Sequence, residues 1–574
     1  MSTVTASLAS LVAAATSAGA TAATPETATA KTTMATRIVE LVLEQGAEAW
    51  HTPTGDPYIS LLIGGHCEHY PLSARAVRDY LSRLHHDDTG RVPGAQAIAD
   101  AITALSGRAR FDGATHEVHV RVAGHAGRVY LDLGDPPCRV IEIDADGWRH
   151  AVDPPVRFRR GRALLPLPEP VMGGSIDALR DVIHVSGDDD WRLIEGWLIG
   201  ALRPVGPYPL LALDGEQGAG KSTFARMVRR LIDPSSAELR AEPREIRDLM
   251  VAAPGGRIIA LDNLSSVRPW LSDALCRLST GGALSTRQLY TDGDEHILEA
   301  VRPVILTGIT SVITRGDLAD RAIPITLPAI SEAQRRTEAD LWAAYEALRP
   351  AVLGALLDAV ACALRREQEI QLGTLPRMAD WARWVTAAAP ALHIPDRAIL
   401  NAYTRGRLAA TEAALDGDAL AIALRALDRP YVGTAADLLT RITPTGKPPR
   451  GWPESPRGLS GALRRLAPQL RRVGIDINLG RREPHTGRRL IHIGDVGEPS
   501  SSPSPPSPSS DPLVESGDGP LTTGHLGDGR AGQPSPENFK RHRSGDDGDD
   551  GGGPAPALSH EPYSEPEGPD GERI

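Results

Sequence analysis

The sequence predicts an α/β protein built on a three-layer domain with a parallel sheet at residues 172–330. An α+β domain at 37–165 precedes it; a helical region at 331–430 and a helix–helix–hairpin module at 432–495 follow. Three observations lead there. Gly215–Ser222 reads GEQGAGKS, between an apolar run, Tyr208–Asp214, and an amphipathic stretch, Thr223–Ile232, which is a strand–loop–helix arrangement. Two further apolar runs, Arg257–Leu261 and Pro303–Thr307, are separated by helical stretches, the alternation expected of a parallel sheet. Outside this region the period changes, to two over residues 116–143 and to that of a helix over 332–430.

Taken in order, residues 1–33 are Ala/Thr/Ser-rich and expected to be disordered. Ile38–Glu44 and Ala74–Leu84 have helical spacing. His116–Val122, Gly127–Leu133 and Arg139–Ile143 alternate as strands between Gly, Asp and Pro turns. After the three-layer domain, Leu341–Leu348 and Arg377–Trp384 carry apolar residues at helical spacing. In the last module Thr434–Ile442 is a capped helix, Ser455–Arg472 holds a second despite Pro468, and Gly474–Leu479 with Arg488–Ile493 forms a hairpin. From 496 to 574 the chain is rich in Pro, Ser, Gly and Asp and cannot bury a core.

The glycine-rich run is a phosphate loop. Gly215, Gly218 and Gly220 let the backbone turn its N–H groups inward, and the N-terminus of the following helix favours an anion. Glu216, Gln217 and Ala219 complete the cradle, Lys221 would reach the β/γ-phosphates, and Ser222, followed by Thr223, would ligate Mg²⁺. The chain has only four lysines, Lys31, Lys221, Lys447 and Lys540, so one at this position is hard to ascribe to chance. ATP with Mg²⁺ is the expected cofactor pair. Asp262, after Ile258-Ile-Ala-Leu261, would support the metal at the end of a second strand; a strand-terminal N-cap is the bland alternative. Asn263 follows where many such ATPases carry a glutamate base, and an amide orients a water but accepts no proton. Thr307 ends a third strand as a sensor of the γ-phosphate or its attacking water. Arg321 is the candidate arginine finger, with Arg315 second; a surface ion pair with Asp317 or Asp320 is the competing reading.

Gly215–Ser222, Leu261–Ser266, Ser272–Gly282, Arg287–Tyr290, Arg302–Gly308 and Asp317–Arg321 occur in this order. Together they resemble the ATPase core of primase-helicase proteins of phages, plasmids and integrated elements, which are similar to superfamily 3 helicases of the AAA+ class. The resemblance covers residues 172–330. It implies a homo-oligomeric ring, a hexamer, with ATP at subunit interfaces, DNA through the middle and Arg287 in a segment presented toward the pore. Asn263 and Thr307 depart from the family's usual acid and sensor Asn, which bears on hydrolysis more than on fold.

Helix, helix and hairpin outline a winged helix. Arg464, Arg465, Arg471 and Arg472 would lie on or beside its recognition helix and Arg481, Arg482, Arg488 and Arg489 on its wing, to contact DNA phosphates or guanine edges. A solvated basic face is the alternative in a chain that uses Arg for nearly all its positive charge. His66-Cys-Glu-His69 and His85-His86-Asp-Asp88 lack a second spaced pair and are read as ordinary surface residues. Asp144-Ala-Asp-Gly147 is read as a hairpin turn in preference to a metal-binding carboxylate pair.

Composition narrows the functions. Hydrophobic content of 41% and charged content of 24% are those of a globular protein. The four cysteines lack C-x-x-C spacing, which argues against a disulfide framework or zinc ribbon and fits a cytoplasmic location. No apolar stretch approaches a membrane span, and the first basic residue, Lys31, comes too late for a signal peptide. The net charge of −11 sits largely in the C-terminal tail, so it says little about partners. The expected function is an ATP-binding and ATP-hydrolysing motor on DNA, a helicase of a mobile element. An ATP-gated DNA-binding or loader switch, and a regulatory ATPase that does not act on DNA, remain as alternatives.

Overall fold

A computed structural model describes residues 33–497 apart from 283, 288–294, 299, 309–312, 314–315, 374, 450 and 483–487. The low-complexity segments 1–32 and 498–574, Arg315, and the side chains of Arg287, Arg481 and Arg482 therefore lie outside the described residues.

The chain begins with helix α1 (Met34–Glu44), a three-stranded antiparallel sheet of β1 (Glu48–His51), β2 (Pro57–Ile63) and β3 (His66–Pro71), and helices α2 (Arg75–Thr89) and α3 (Ala95–Phe111). Ile38, Val42, Ile59, Leu61, Val77, Leu81 and Leu105 close a small core of their own. Two short parallel strands, β4 (Val118–His119) and β9 (Arg157–Phe158), bracket an antiparallel sheet of β5 (Val122–His125), β6 (Arg128–Asp132), β7 (Val140–Ile143) and β8 (Trp148–His150). Asp144–Gly147 makes the β7–β8 turn: Asp144 N–H donates to the Gly147 carbonyl, and the Asp144 carboxylate accepts from the N–H groups of Asp146 and Gly147.

Two features differ from the sequence expectation. The run 116–122 is not one strand, because Arg121 adopts φ 64° and breaks it. Its fully buried guanidinium donates to the carbonyls of Asp132 and Leu165 and to Asp233, contacts that a regular strand would not reach. Nor is 37–165 one unit around one core. Val122, Val129, Leu131, Ile141 and Ile143 pack into the same core as the following domain, so alternation of apolar residues marked the strands but not the partner of their buried face.

That domain opens with α4 (Asp188–Ala201), then β10 (Leu210–Gly215), α5 (Lys221–Ile232), α6 (Ile246–Ala252), β11 (Ile259–Leu264), α7 (Pro269–Thr280), the hairpin β12 (Leu284–Arg287) and β13 (Glu295–Leu298), β14 (Val304–Gly308), the short α8 (Gly316–Ala319) and β15 (Ala322–Leu327). The central sheet has the order β11-β14-β10-β15, and every pairing is parallel. Outside β11, Arg240 N–H donates to the Ala260 carbonyl and Asp262 N–H to the Arg240 carbonyl, a rudimentary fifth position. Alternate residues face opposite layers, as the pleat requires. Leu211, Leu213, Ile305, Ile323 and Ile325 pack toward α5, while Leu210, Ala212, Ile259, Leu261, Val304 and Leu306 pack toward α7.

Helices α9 (Glu338–Arg366), α10 (Ala379–Ala388) and α11 (Ala398–Asp416) cover the first of these layers, with Trp197, Trp381 and Trp384 almost fully buried. Among the described residues α9 alone is long and apolar enough to cross a membrane, but Val352, Leu353, Leu356, Leu357 and Val360 are buried in this core. Helix α12 (Ala419–Arg425), β16 (Tyr431–Gly433), α13 (Ala435–Ile442), α14 (Pro456–Arg472), β17 (Ile475–Arg482) and β18 (Arg489–Asp495) end the described chain. The hairpin gains β16 as a third strand beside β18. Leu415, Leu420 and Leu424 belong to this last core, which therefore begins before residue 432.

Candidate functional site

The glycine-rich loop sits at the C-terminal edge of the parallel sheet, between β10 and α5. Gly215, Gly218 and Gly220 have φ of 150°, 85° and 77°, backbone that L side chains rarely adopt. A Cβ at Gly215 would come within 2.8 Å of the Leu327 carbonyl, so glycine also allows the end of β15 to lie against the loop. Gly220 caps α5, whose first-turn N–H groups point into the loop as in any helix start. Glu216, Gln217 and Gly218 are exposed, Ala219 is buried, and Gly220, Lys221, Ser222 and Thr223 are half-buried. The Lys221 ammonium donates to the carbonyls of Gly215 and Glu216, both at 2.8 Å, and is thus held at the mouth of the loop.

Three strands bring the other polar groups to the same edge. Ser222 Oγ donates to Asp262 Oδ1 at 2.9 Å, and Thr307 Oγ1 donates to the same oxygen at 2.6 Å. Asn263 N–H donates to Thr307 Oγ1 at 2.9 Å, closing a chain from α5 through β11 to β14. Asn263 has φ 58°, and the register between β11 and β14 shifts between Leu261 and Leu264. The bulge leaves Asn263 exposed beside Asp262. Asn enters left-handed backbone more readily than Glu does, which gives a conformational reason for an amide here. Thr307 is buried with its hydroxyl fully used, as donor to Asp262 and acceptor from Asn263. Lys221, Ser222, Asp262, Asn263 and Thr307 thus form one cluster.

Arg321 is not part of it. Its carbonyl accepts from Leu210 N–H at the start of β10, so it lies at the opposite edge of the sheet. Arg321 Nη1 donates to the Asp317 carbonyl at 2.7 Å, and the buried Nε has no partner among the described residues. The neighbouring Asp320 carboxylate pairs with Arg377 at 3.7 Å, with Arg407 at 3.1 Å and with Arg472 of α14.

The arginines of the last module do not share one face. Helix α14 buries Leu459, Leu463, Leu466 and Leu470. Arg465 and Arg472, seven residues apart, line a cavity of about 1010 Å³ against α11 and β15, together with Arg407, Asp190, Asp214 and Trp452. Arg464 and Arg471 are exposed on another stripe, and Arg471 pairs with Asp476 at 2.7 Å. Arg488 and Arg489 are exposed on the hairpin. Adjacent residues of a helix stand about 100° apart, so each arginine pair diverges; which of the two stripes meets α11 and β15 is what the sequence does not mark. Nor did it mark Asp320 as a hub, because ion-pair partners far along the chain leave no local pattern.

Fold and site together define an α/β protein whose parallel sheet gathers a glycine-rich loop, its lysine and a hydroxyl–carboxylate cluster at one edge. Residues 176–406 match the family described as actinomycete integrative conjugative element replication protein, and residues 420–507 match the C-terminal domain of the same replication protein. The chain is a replication protein of an integrative conjugative element. No curated protein matches it in sequence. Among solved structures it is similar to the apo C-terminal region of NrS-1, in the A form, at 12% identity and a TM-score of 0.35, covering 80% of this chain and 98% of that one. A second structure of that region, residues 305–718, gives 11% identity and a TM-score of 0.36 with the same coverage.

Proposed function

We propose that this replication protein is an ATP-dependent motor on DNA, a helicase similar to superfamily 3 within the AAA+ class. The observation that carries the reading is the convergence of Lys221, Ser222, Asp262 and Thr307 at the C-terminal edge of three adjacent parallel strands. Ser222 and Asp262 present hydroxyl and carboxylate oxygens 2.9 Å apart, a hard donor set that suits Mg²⁺. When bound, that ion would neutralise charge on the β- and γ-phosphates. Lys221 would exchange a carbonyl partner for phosphate oxygens, since an ammonium has three donors. Thr307 holds the Asp262 carboxylate in place, and exposed Asn263 stands where it can orient an attacking water.

The position of Arg321 supports a ring. At the far edge of the sheet it cannot serve its own phosphate loop, and a neighbouring subunit's site is the one it would reach after leaving the Asp317 carbonyl. The module from Leu415 to Asp495 supports DNA contact through a winged helix, with Arg464, Arg465, Arg471, Arg472, Arg488 and Arg489 among its exposed cations. The reading places this work in the cytoplasm.

The test is ATP turnover by the purified chain, with and without single- and double-stranded DNA, beside Lys221→Ala. Turnover stimulated several-fold by DNA and lost in the variant is expected. Tight ATP binding without stimulated turnover would favour the second reading, a nucleotide-gated switch. Asn263 is the observation behind that reading, because no carboxylate stands at its place.

A further inference from the structure

A second cavity, of about 920 Å³, lies in the N-terminal part of the chain, away from the glycine-rich loop. Sequence spacing marks His66 and Glu68 as ordinary surface residues, but the fold brings them to Cys138 from another sheet. His66 and Glu68 are alternate residues of β3, so the pleat turns them to one face. Cys138 lies in the loop between β6 and β7, and all three side chains line the cavity. One ligand-type atom from each lies within 4.8 Å of the other two, and His66 Nε2 stands 3.1 Å from Glu68 Oε1.

We propose that His66, Glu68 and Cys138 bind a divalent metal ion of the zinc class, with its remaining position open to the cavity. Around a tetrahedral zinc with bonds of about 2.0–2.3 Å, ligand atoms stand roughly 3.3–3.8 Å apart, so the cluster needs only a small closure. An imidazole, a carboxylate and a thiolate select zinc over the Mg²⁺ suited to Ser222 and Asp262. Their two negative charges balance the ion. Tyr70, next on the same face of β3, donates its hydroxyl to Glu68 and fixes the carboxylate, as partners of metal ligands commonly do. Cys138 is held at φ 57°, left-handed backbone that an L residue adopts at a cost. Its N–H donates to the Asp135 carbonyl, so the strained conformation is locked by its own turn.

Burial pushes the Cys138 thiol up to about 11, so without a cation it is protonated at neutral pH. Metal binding would replace the S–H bond by a metal–sulfur bond and release that proton to solvent. The ion would tie the β2–β3 hairpin to the β6–β7 loop. Its open position faces Arg139, Arg160, His69 and His150, so water or an anionic group is the ligand it would take.

The experiment strips the full-length chain with a chelator and titrates it with Zn²⁺, and separately with Co²⁺, in excess Mg²⁺ to saturate the phosphate-loop site. One Zn²⁺ per chain is expected, with a thiolate-to-Co²⁺ charge-transfer band. Cys138→Ser should abolish that band and weaken Zn²⁺ binding at least about tenfold, and His66→Gln should weaken binding comparably. Exposed Cys67 is the control, and Cys67→Ser should leave band and affinity unchanged. Circular dichroism confirms that each variant is folded, and His66→Gln decides the matter if Cys138→Ser is not. Absence of stoichiometric Zn²⁺ binding by the folded chain would overturn the proposal. So would a band that survives in Cys138→Ser or vanishes in Cys67→Ser.

Discussion

Asp262 receives hydroxyl hydrogen bonds from the start of α5 and the end of β14, and the two donors do different things. Ser222 belongs to the loop and would turn to the metal, whereas Thr307 is buried and also receives the Asn263 N–H. Thr307→Val keeps the shape but removes the acceptor of the Asn263 N–H and leaves Asp262 with Ser222 as its hydroxyl donor, at about 1–3 kcal/mol. ATP turnover should therefore fall about tenfold or more with the affinity for ATP little changed, as steady-state kinetics beside nucleotide titration would read. Equal losses in both would place Thr307 in binding instead. Asn263 separates backbone from side chain: Asn263→Gly suits φ 58° and should preserve stability while lowering turnover. Asn263→Ala should in addition lose about 1 kcal/mol in urea unfolding.

At the scale of elements, α14 is held to the sheet domain through Asp320, which also pairs with Arg407 of α11 and with Arg377. Asp320 is 17% exposed at its side chain, so these pairs are only partly screened by solvent. Asp320→Ala should free Arg472 and raise affinity for DNA several-fold at low salt, with the curves converging as salt rises. Fluorescence anisotropy at several salt concentrations reads this. Unchanged affinity would remove Arg472 from the DNA-contacting set. The two helices and hairpin of this module were legible because caps, helical spacing and alternation are local. The cavity that separates Arg465 and Arg472 from Arg464 and Arg471 was not, since it depends on where α11 and β15 lie.

For the whole molecule, Asp233 is the joint. It is 1% exposed and accepts from Arg257 N–H at 2.9 Å and from Ile258 N–H at 3.0 Å. Arg121 Nε, just before β5, reaches it at 3.4 Å, and Arg229 of α5 pairs with it at 3.7 Å. Asp233→Ala strands two buried guanidinium groups and should cost about 3–5 kcal/mol. Its denaturant midpoint should fall for probes in both the 116–150 sheet and the phosphate-loop domain. A loss confined to one of them would show that the shared core does not couple them. If the chain works as a ring, sedimentation with ATP should show a larger species than without. Arg321→Ala should then abolish turnover while leaving ATP binding intact.

The sequence by itself marked the strands, the glycine-rich loop and the candidates Lys221, Ser222, Asp262 and Thr307 that the fold gathers at one edge, because loop chemistry and apolar periodicity are carried by neighbours in the chain. It also marked Asn263 as unusual, though not that a left-handed bulge accounts for it. Only the tertiary structure decided that the sheet at 122–150 joins the phosphate-loop core. It alone placed Arg321 at the edge away from the loop and put Arg465 and Arg472 of α14, though not Arg464 and Arg471, at the lining of a cavity. It also brought His66 and Glu68 to Cys138, about seventy residues further on. Contacts of that kind depend on which buried faces pack together, and periodicity says that a face is buried without saying against what.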